Sequence, residues 1–303
     1  MEDDNKLFGI LVSILVMCTI VALSMFIYFE KLDNYKHLFT YTEQDIYCDN
    51  EYSISNPSDN IHFADPKTKI ICLAHWDNDD NGELTYSEAA AVTDLEGAFT
   101  ESEIEIFAEL KYFSGLTSIS KNSFYGCKSL KKIKLPKNIS SIENSAFKEC
   151  GQLSSIYLPS NITRIGSLAF WGCCKLREIN IPHNVDCIEK ATFSHCENLK
   201  QIVIGENVRS VGKGAFRYCY NLAHIYFKGT TPPKGADEMF EEIHDDYIMY
   251  VPLESLKDYR TTRHYKKHMF SIEPCNYRAH KDEEEERKFS EEIFRLLDSL
   301  YSN

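Results

Sequence analysis

Residues 146–159 read AFKECGQLSSIYLP, and residues 169–182 repeat the pattern as AFWGCCKLREINIP. The phenylalanine of this pattern recurs every 23 residues, and a cysteine follows each one after three positions. A fixed period of about 20 to 50 residues is typical of solenoids, which stack one small structural unit per repeat. Five units are evident, with Phe124, Phe147, Phe170, Phe193 and Phe216 paired with Cys127, Cys150, Cys173, Cys196 and Cys219.

Each unit contains the run Leu-x-x-Ile-x-Leu or a close variant, and in three units proline follows at 136, 159 and 182. Apolar residues that alternate over a short run and then meet a proline predict one short strand per unit. A second short strand is predicted at Ile139–Ile142 and its equivalents, and a turn at Ala-Phe-x-x-Cys. Since one coil cannot bury its own apolar face, we expect stacked coils with short parallel strands and one continuous core.

The chain has eleven cysteines, and five of them occupy one column of the repeat. This placement indicates a small apolar residue that points into each coil. Disulfides between stacked coils are the alternative, because a spacing near ~4.8 Å does not exclude them. Five stacked cysteines cannot all pair, however, and eleven is an odd number. We therefore predict buried free thiols.

Residues 77–88 read DNDDNGELTYSE, which matches the twelve-residue EF-hand calcium loop at its diagnostic positions. Gly82 permits the sharp turn at position 6, and Asp65-Pro66 predicts the start of the incoming helix. An Asp/Asn-rich surface turn is the alternative. The loop has no partner loop, so we expect modest affinity and a structural role for calcium. The predicted ligands are Asp77, Asp79, Asn81, Glu83 through its backbone carbonyl, Thr85 and Glu88.

Residues 7–29 form an apolar run long enough to cross a bilayer. A cleaved signal peptide is the alternative, but the preceding residues are acidic rather than basic, and no Ala-x-Ala site follows. We therefore predict an uncleaved anchor and a single-pass membrane protein. Its orientation is poorly determined by the few flanking lysines.

The 23-residue unit resembles the leucine-rich repeats of the BspA-like bacterial surface proteins. Residues 63–119, which include the EF-hand loop, are similar to the N-terminal module of some members of that family. Tyr250-Val251-Pro252, followed by Tyr259, Tyr265 and Ile272, resembles the family's closing unit, although tyrosine stands at 265 where tryptophan is common. The resemblance implies a surface-exposed binding or adhesion role and carries no catalytic residues.

These features together predict an α/β fold: a leucine-rich repeat solenoid with short parallel strands, preceded by a helical EF-hand module and one transmembrane helix. The predicted organisation is a transmembrane anchor at 1–30, a linker at 31–60, the EF-hand module at 61–112, the solenoid at 113–235, a capping unit at 236–275 and an acidic amphipathic helical tail at 276–303.

The formal charge of the chain is −13, yet residues 111–235 contain 18 Lys/Arg and seven Asp/Glu, so this span carries +11. We expect no nucleic-acid partner from the overall charge. The outward positions of the predicted strands are basic and aromatic, which favours a protein or an anionic glycan as ligand. Lysines that merely solvate an exposed sheet are the alternative. The predicted ligand face comprises Lys131, Lys132, Lys134, Tyr157, Arg177, Lys200, His224 and Tyr226.

The sequence contains no His-Glu-x-x-His, Gly-x-Ser-x-Gly or Cys-x-x-Cys motif, and we predict no enzymatic activity. The interpretation we favour is a membrane-anchored, calcium-binding repeat protein that acts in surface binding or adhesion, with its C-terminal region extracytoplasmic or at the cell surface. One alternative is an intracellular or periplasmic scaffold that binds an acidic protein or an envelope polymer. Another is an enzyme accessory module that delivers a partner to a polymer.

Overall fold

A pair of short helices leads into a stack of coils in the computed structural model, which describes residues 56–235 and 238–275. The predicted anchor at 1–30, the predicted tail at 276–303 and most of the predicted linker lie outside these two ranges. Within them, no helix combines the length and the apolar character needed to cross a bilayer.

The two N-terminal helices are each held by a side-chain cap. Helix α1 spans Pro66–Trp76, and the Asp65 carboxylate accepts a hydrogen bond from the Lys67 amide, which confirms the helix start predicted there. Helix α2 spans Tyr86–Ala91 and begins with a reciprocal capping box between Thr85 and Glu88. A third helix, α3, spans Leu256–Thr261 near the end of the described chain.

The strands of the described ranges pair in parallel, as the repeat predicts, and they form three sheets. The two-stranded sheet consists of β1 (Ile106–Phe107) and β3 (Lys132–Ile133). The five-stranded sheet consists of β6 (Glu178–Asn180), β8 (Gln201–Ile204), β10 (His224–Phe227), β12 (Ile248–Pro252) and β13 (Ile272–Cys275). The six-stranded sheet consists of β2 (Ser118–Ile119), β4 (Ser141–Ile142), β5 (Arg164–Ile165), β7 (Cys187–Ile188), β9 (Ser210–Val211) and β11 (Lys234–Gly235).

The register of both larger sheets follows the 23-residue period. Ile179 lies opposite Ile202, which lies opposite Ile225, and Ile142 lies opposite Ile165. The second short strand predicted in each unit is therefore confirmed in the six-stranded sheet. The segment at 154–158 forms no regular strand, although the Ser154 carbonyl still accepts a hydrogen bond from the Arg177 amide at 3.2 Å. Three short 3-10 helices complete the elements of the two described ranges, at Ala108–Tyr112, Leu253–Ser255 and Lys266–Ser271.

A continuous column of phenylalanine rings fills the interior of the stack. The five repeat phenylalanines stack with centroids 5.2–5.8 Å apart and interplanar angles of 2–6°. Phe99 extends the column at one end, 5.4 Å from Phe124, and Phe240 extends it at the other, 5.4 Å from Phe216. The column therefore continues into the segment predicted as the EF-hand module and into the predicted capping unit.

The repeat cysteines are buried free thiols, as predicted, and each one bonds to a neighbouring coil. Every thiol donates to the carbonyl oxygen of a phenylalanine 26 or 28 residues earlier, at sulfur–oxygen distances of 2.9–3.2 Å. Burial raises the pKa of Cys173 and Cys219, so these thiols stay protonated and weakly reactive. The cysteine column thus links coils by hydrogen bonds instead of disulfides.

Candidate metal site and ligand face

Three carboxylates converge in the loop between α1 and α2. Asp77, Asp79 and Glu88 each offer an oxygen, and these oxygens all lie within 4.8 Å of one another. Within the described ranges, none of the three forms an ion pair with a lysine or arginine, so their negative charges face each other without a compensating cation. An oxygen-only, strongly acidic donor set of this kind fits a hard divalent cation such as calcium.

Backbone amides hold the first carboxylates of the loop in place. The Gly82 amide donates to Asp77 Oδ2 at 2.8 Å, and the Asn81 amide donates to Asp77 Oδ1 at 3.2 Å. Gly82 has a φ of +79°, a conformation that glycine adopts without strain and that turns the chain around Asp77. The Asn81 amide side chain donates to Asp79 Oδ2 at 2.8 Å.

Glu88 is ionised and oriented by its neighbours. Burial raises its pKa, but hydrogen bonds from the Thr85 and Asn78 amides outweigh this effect, so its pKa lies below the ordinary value. Nearby Asp77 partly opposes the shift through charge repulsion. Glu88 therefore carries a full negative charge at neutral pH, as a calcium ligand must.

The other predicted ligands lie in the same loop but have partners within the protein. The Glu83 carboxylate pairs with Lys69 at 2.8 Å, which leaves its backbone carbonyl for the predicted role. The Thr85 hydroxyl accepts from the Glu88 amide at 3.1 Å and donates to Glu88 Oε2 at 2.9 Å. The structure thus brings together the side chains of three of the six predicted ligands, while Asn81, Glu83 and Thr85 stand beside them.

A short segment upstream of α1 makes backbone contacts with the end of the loop. Asn60 and Thr85 form an antiparallel bridge, and the Ile61 amide donates to the Leu84 carbonyl at 2.7 Å. Ile61 and Leu84 are both buried, so the eighth position of the loop is anchored in the protein core. This segment restrains the loop although the chain offers no second EF-hand motif.

The helical pair packs directly on the first coil. Trp76 contacts Phe113 edge-on at 5.5 Å between centroids and lies 6.0 Å from Phe99. A Cβ atom added to Gly115 would lie 2.5 Å from the carbonyl oxygens of Ala90 and Val92, so only glycine permits the approach of α2. The helices and the first coil therefore share one core.

Two side chains at the start of α1 form hydrogen bonds with backbone groups at the edge of β1. Asp65 Oδ2 accepts from the Glu105 amide at 2.6 Å and from the Ile106 amide at 3.2 Å. The Thr68 hydroxyl donates to the Ile106 carbonyl at 2.8 Å. The sequence identifies Asp65 only as a helix cap, because nothing in the pattern points to a partner 40 residues away.

The predicted ligand face is partly open. Lys132, Arg177 and Lys200 are exposed, whereas Lys134, Tyr157 and His224 are half-buried. Burial lowers the pKa of His224, with a smaller contribution from His244. Lys132 precedes the buried Ile133, whereas Arg177 and Lys200 each follow a buried leucine and directly precede a strand.

Lys131 and Tyr226 of this predicted face are engaged within the protein. Lys131 Nζ lies 2.5 Å from Glu105 Oε2, an ion pair that neutralises this lysine. Tyr226 is only 5% exposed and stacks on Tyr250, with centroids 4.6 Å apart and an interplanar angle of 10°. The open cationic part of the face is therefore centred on Lys132, Arg177 and Lys200.

An aromatic and cationic ladder runs across the turns of successive coils, and the sequence pattern gave no sign of it. Lys148 Nζ lies 5.2 Å from the ring centroid of Tyr125 and 5.0 Å from that of Trp171. The ladder continues from Trp171 to His195 at 4.9 Å and from His195 to Tyr218 at 4.5 Å. Its members occupy two adjacent repeat positions, so no single column of the sequence reveals it. Cation–π and ring contacts of this kind stabilise neighbouring coils against each other.

A family model described as the BspA type leucine rich repeat region matches residues 98–236 in six copies. Residues 98–236 are thus similar to BspA-type leucine-rich repeats. The match begins at residue 98, next to Phe99, where the phenylalanine column begins, and it adds one copy to the five evident from the sequence period. The loop at 77–88 lies outside the matched region. No curated protein matches the chain.

Solved structures with similarity to this chain include two leucine-rich repeat proteins and a bacterial vaccine antigen. A Treponema pallidum leucine-rich repeat protein (TpLRR) is 30% identical, with 45% of this chain and 62% of that chain covered and a TM-score of 0.40. The pneumococcal vaccine antigen PcpA is 25% identical, with 54% and 38% covered and a TM-score of 0.40. A leucine-rich repeat protein from Bacteroides ovatus is 23% identical, with 46% and 43% covered and a TM-score of 0.33. This chain spans less than two thirds of the length of each.

Proposed function

We propose that this protein is a non-enzymatic binding module whose BspA-type repeats present a cationic face to an anionic partner. The observation that carries the proposal is the exposure of Lys132 in β3 and of Arg177 and Lys200 directly before β6 and β8, strands whose isoleucines are buried. Stacked coils hold these cations at fixed spacing, so a partner meets a preorganised surface. Preorganisation lowers the entropic cost of binding.

The partner we propose is an acidic protein surface or an anionic glycan. The repeat span carries a net charge of +11 although the whole chain is acidic, which concentrates positive potential on the solenoid. Long-range attraction of this kind accelerates association and weakens as salt is added. In the proposed role, the apolar run at 7–29 anchors the protein in a membrane, and the repeats are displayed at the cell surface. An intracellular or periplasmic scaffold remains the alternative.

Reversing the three exposed charges tests the proposed face. We expect the triple change Lys132→Glu, Arg177→Glu and Lys200→Glu to weaken binding of dextran sulfate by about tenfold or more, since each reversal changes the local interaction by about 1 kcal/mol or more at contact distance. Binding is measured by calorimetry at fixed ionic strength. The matched control, Lys121→Glu with Lys128→Glu and Lys137→Glu, changes the net charge equally on other parts of the coils. An equal loss in both variants would show that the net charge, rather than this face, governs binding.

The second part of the proposal is calcium binding in the loop at 77–88. The convergence of three uncompensated carboxylates supports it, and the ligands we propose are Asp77, Asp79, Asn81, the Glu83 carbonyl, Thr85 and Glu88. A bound calcium ion would neutralise the carboxylates and connect the end of α1 to the start of α2. We therefore assign calcium a structural role rather than a catalytic one.

Removing two of the carboxylates tests the calcium site. We expect Asp77→Asn with Glu88→Gln to reduce calcium affinity by about a hundredfold or more, because EF-hand affinity depends on ligand charge. Titration calorimetry on the full chain measures this directly. Asp80→Asn is the matched control: it removes a charge from the same loop at a position that supplies no ligand, and asparagine tolerates the φ of 53° found there. Undiminished calcium uptake by the double variant would refute the site.

A further inference from the structure

Helix α1 is held at both of its ends. Its C-terminal end continues directly into the calcium loop, where Asp77 is the C-cap residue. Its N-terminal end is bound to the edge of β1 through Asp65 and Thr68, which together make three hydrogen bonds to Glu105 and Ile106. The helix is therefore a direct connection between the loop and the first strand of the solenoid.

The same helix closes the open end of the core. Thr68 and Cys72 of α1 are fully buried, and Trp76 lies against Phe99 and Phe113. Phe99 is the first ring of the phenylalanine column. The end of a solenoid needs a cap because its last coil would otherwise expose apolar surface to water. In this protein α1 and α2 provide that cap.

The first strand in turn orders the next coil. The Glu105 carbonyl accepts hydrogen bonds from the Lys131 and Lys132 amides at 2.8 and 3.3 Å, and the Phe107 carbonyl accepts from the Lys134 amide at 3.2 Å. Strand β1 thus holds the first lysines of the proposed ligand face. A loss of order in the cap would pass to β1 and then to these lysines.

We propose that calcium bound at 77–88 controls the stability of the N-terminal cap, and through it the order of the first two coils. The inference rests on the proposed calcium site. Calcium would connect Asp77 at the end of α1 to Glu88 in α2, so the two cap helices could not separate without losing the ion. At low calcium the repulsion among the three carboxylates favours separation of the helices.

The size of the effect follows from mass action. If opening of the cap releases the ion, the opening constant falls by a factor of one plus the ratio of free calcium to its dissociation constant. At free calcium 100 times the dissociation constant, opening is suppressed by about a hundredfold. The suppression is expected at the cap and the first two coils, and it should decline along the stack because each coil contacts only its neighbours.

Hydrogen exchange of the full chain with and without calcium tests this coupling. The informative amides are Glu105 and Ile106, which donate to Asp65, and Lys131 and Lys132, which donate to Glu105. We expect their exchange to slow by up to about a hundredfold in saturating calcium. The remote amide of Ile225 serves as the internal reference, and calorimetry on the same sample reports calcium uptake.

The possible outcomes separate the inference from the site on which it rests. Calcium uptake together with slowed exchange at 105–106 and 131–132 supports both. Uptake without slowed exchange beyond the loop overturns the coupling and leaves the calcium site intact. Absence of uptake overturns both proposals. Slowing that persists in the Asp77→Asn, Glu88→Gln variant also overturns the inference, because calcium would then act elsewhere.

Discussion

Phe170→Ala is expected to destabilise the solenoid by about 3–5 kcal/mol, the usual cost of removing a buried phenylalanine ring. Phe170 is fully buried between Phe147 and Phe193, with centroids 5.3 and 5.4 Å away and interplanar angles of 6° and 4°. The substitution removes both stacking contacts and leaves a cavity that neighbouring coils cannot fill without losing register. Chemical denaturation followed by circular dichroism measures the loss.

The end of the same column provides the matched comparison for Phe170. Phe240 stacks on Phe216 and is 7% exposed, so Phe240→Ala removes a ring at the edge of the stack. We expect a clearly smaller cost there, because the site can relax toward solvent. Equal costs at the two positions would argue against a continuous column as the principal source of stability.

Asp65→Ala is expected to cost roughly 3 kcal/mol or more. The substitution removes the cap of α1, which contributes about 1 kcal/mol. It also leaves the Glu105 and Ile106 amides without their acceptor, and an unpaired donor costs up to about 1–3 kcal/mol where water does not reach it. Asp65 is 7% exposed, so water replaces its carboxylate poorly. Urea denaturation of the wild-type chain and the variant measures the difference, and a loss below about 1 kcal/mol, the value of the helix cap alone, would contradict the edge-capping role.

The Asp65 contribution should also depend on pH. Burial raises its pKa, but amide hydrogen bonds from Glu105, Ile106 and Lys67 outweigh burial, so the pKa in the folded protein lies below the ordinary value of 3.8. A carboxylate with a lowered folded pKa stabilises the protein fully above its unfolded pKa. That stability is lost as the pH falls below about 4 toward the folded pKa. Asp65→Asn should remove this part of the acid sensitivity in the same denaturation assay.

The repeat is the part of this protein that sequence pattern predicts best. The phenylalanine and cysteine columns, the two short strands found in most units and the parallel register all follow from one 23-residue period. Periodic burial produces periodic sequence, because every coil places the same position against the same neighbour. Phe99 and Phe240 fall outside the exact period, since they stand 25 and 24 residues from the nearest repeat phenylalanine.

The candidate sites were predictable to different degrees. The proposed calcium loop is local, so the spacing from Asp77 to Glu88 was sufficient to expect converging carboxylates, and the structure places three of them together. The ligand face is not local. Alternation identified the outward positions, but it could not show that Lys131 pairs with Glu105 or that Tyr226 stacks on Tyr250.

Spacing along the chain is sufficient to predict the coil, its period, its apolar columns and the acidic loop, because each depends on residues at fixed intervals. Tertiary structure alone decided how the solenoid begins and how its coils are held. Asp65 accepts hydrogen bonds from Glu105 and Ile106, which lie about 40 residues away in the chain. The rings of Trp171 and His195 are in contact although the two residues occupy different positions of the repeat. Such contacts depend on the way the helices and coils pack in space, and hydrogen-bond and ring geometry can be satisfied by many pairs of residues. No fixed interval in the sequence identifies the pair that forms.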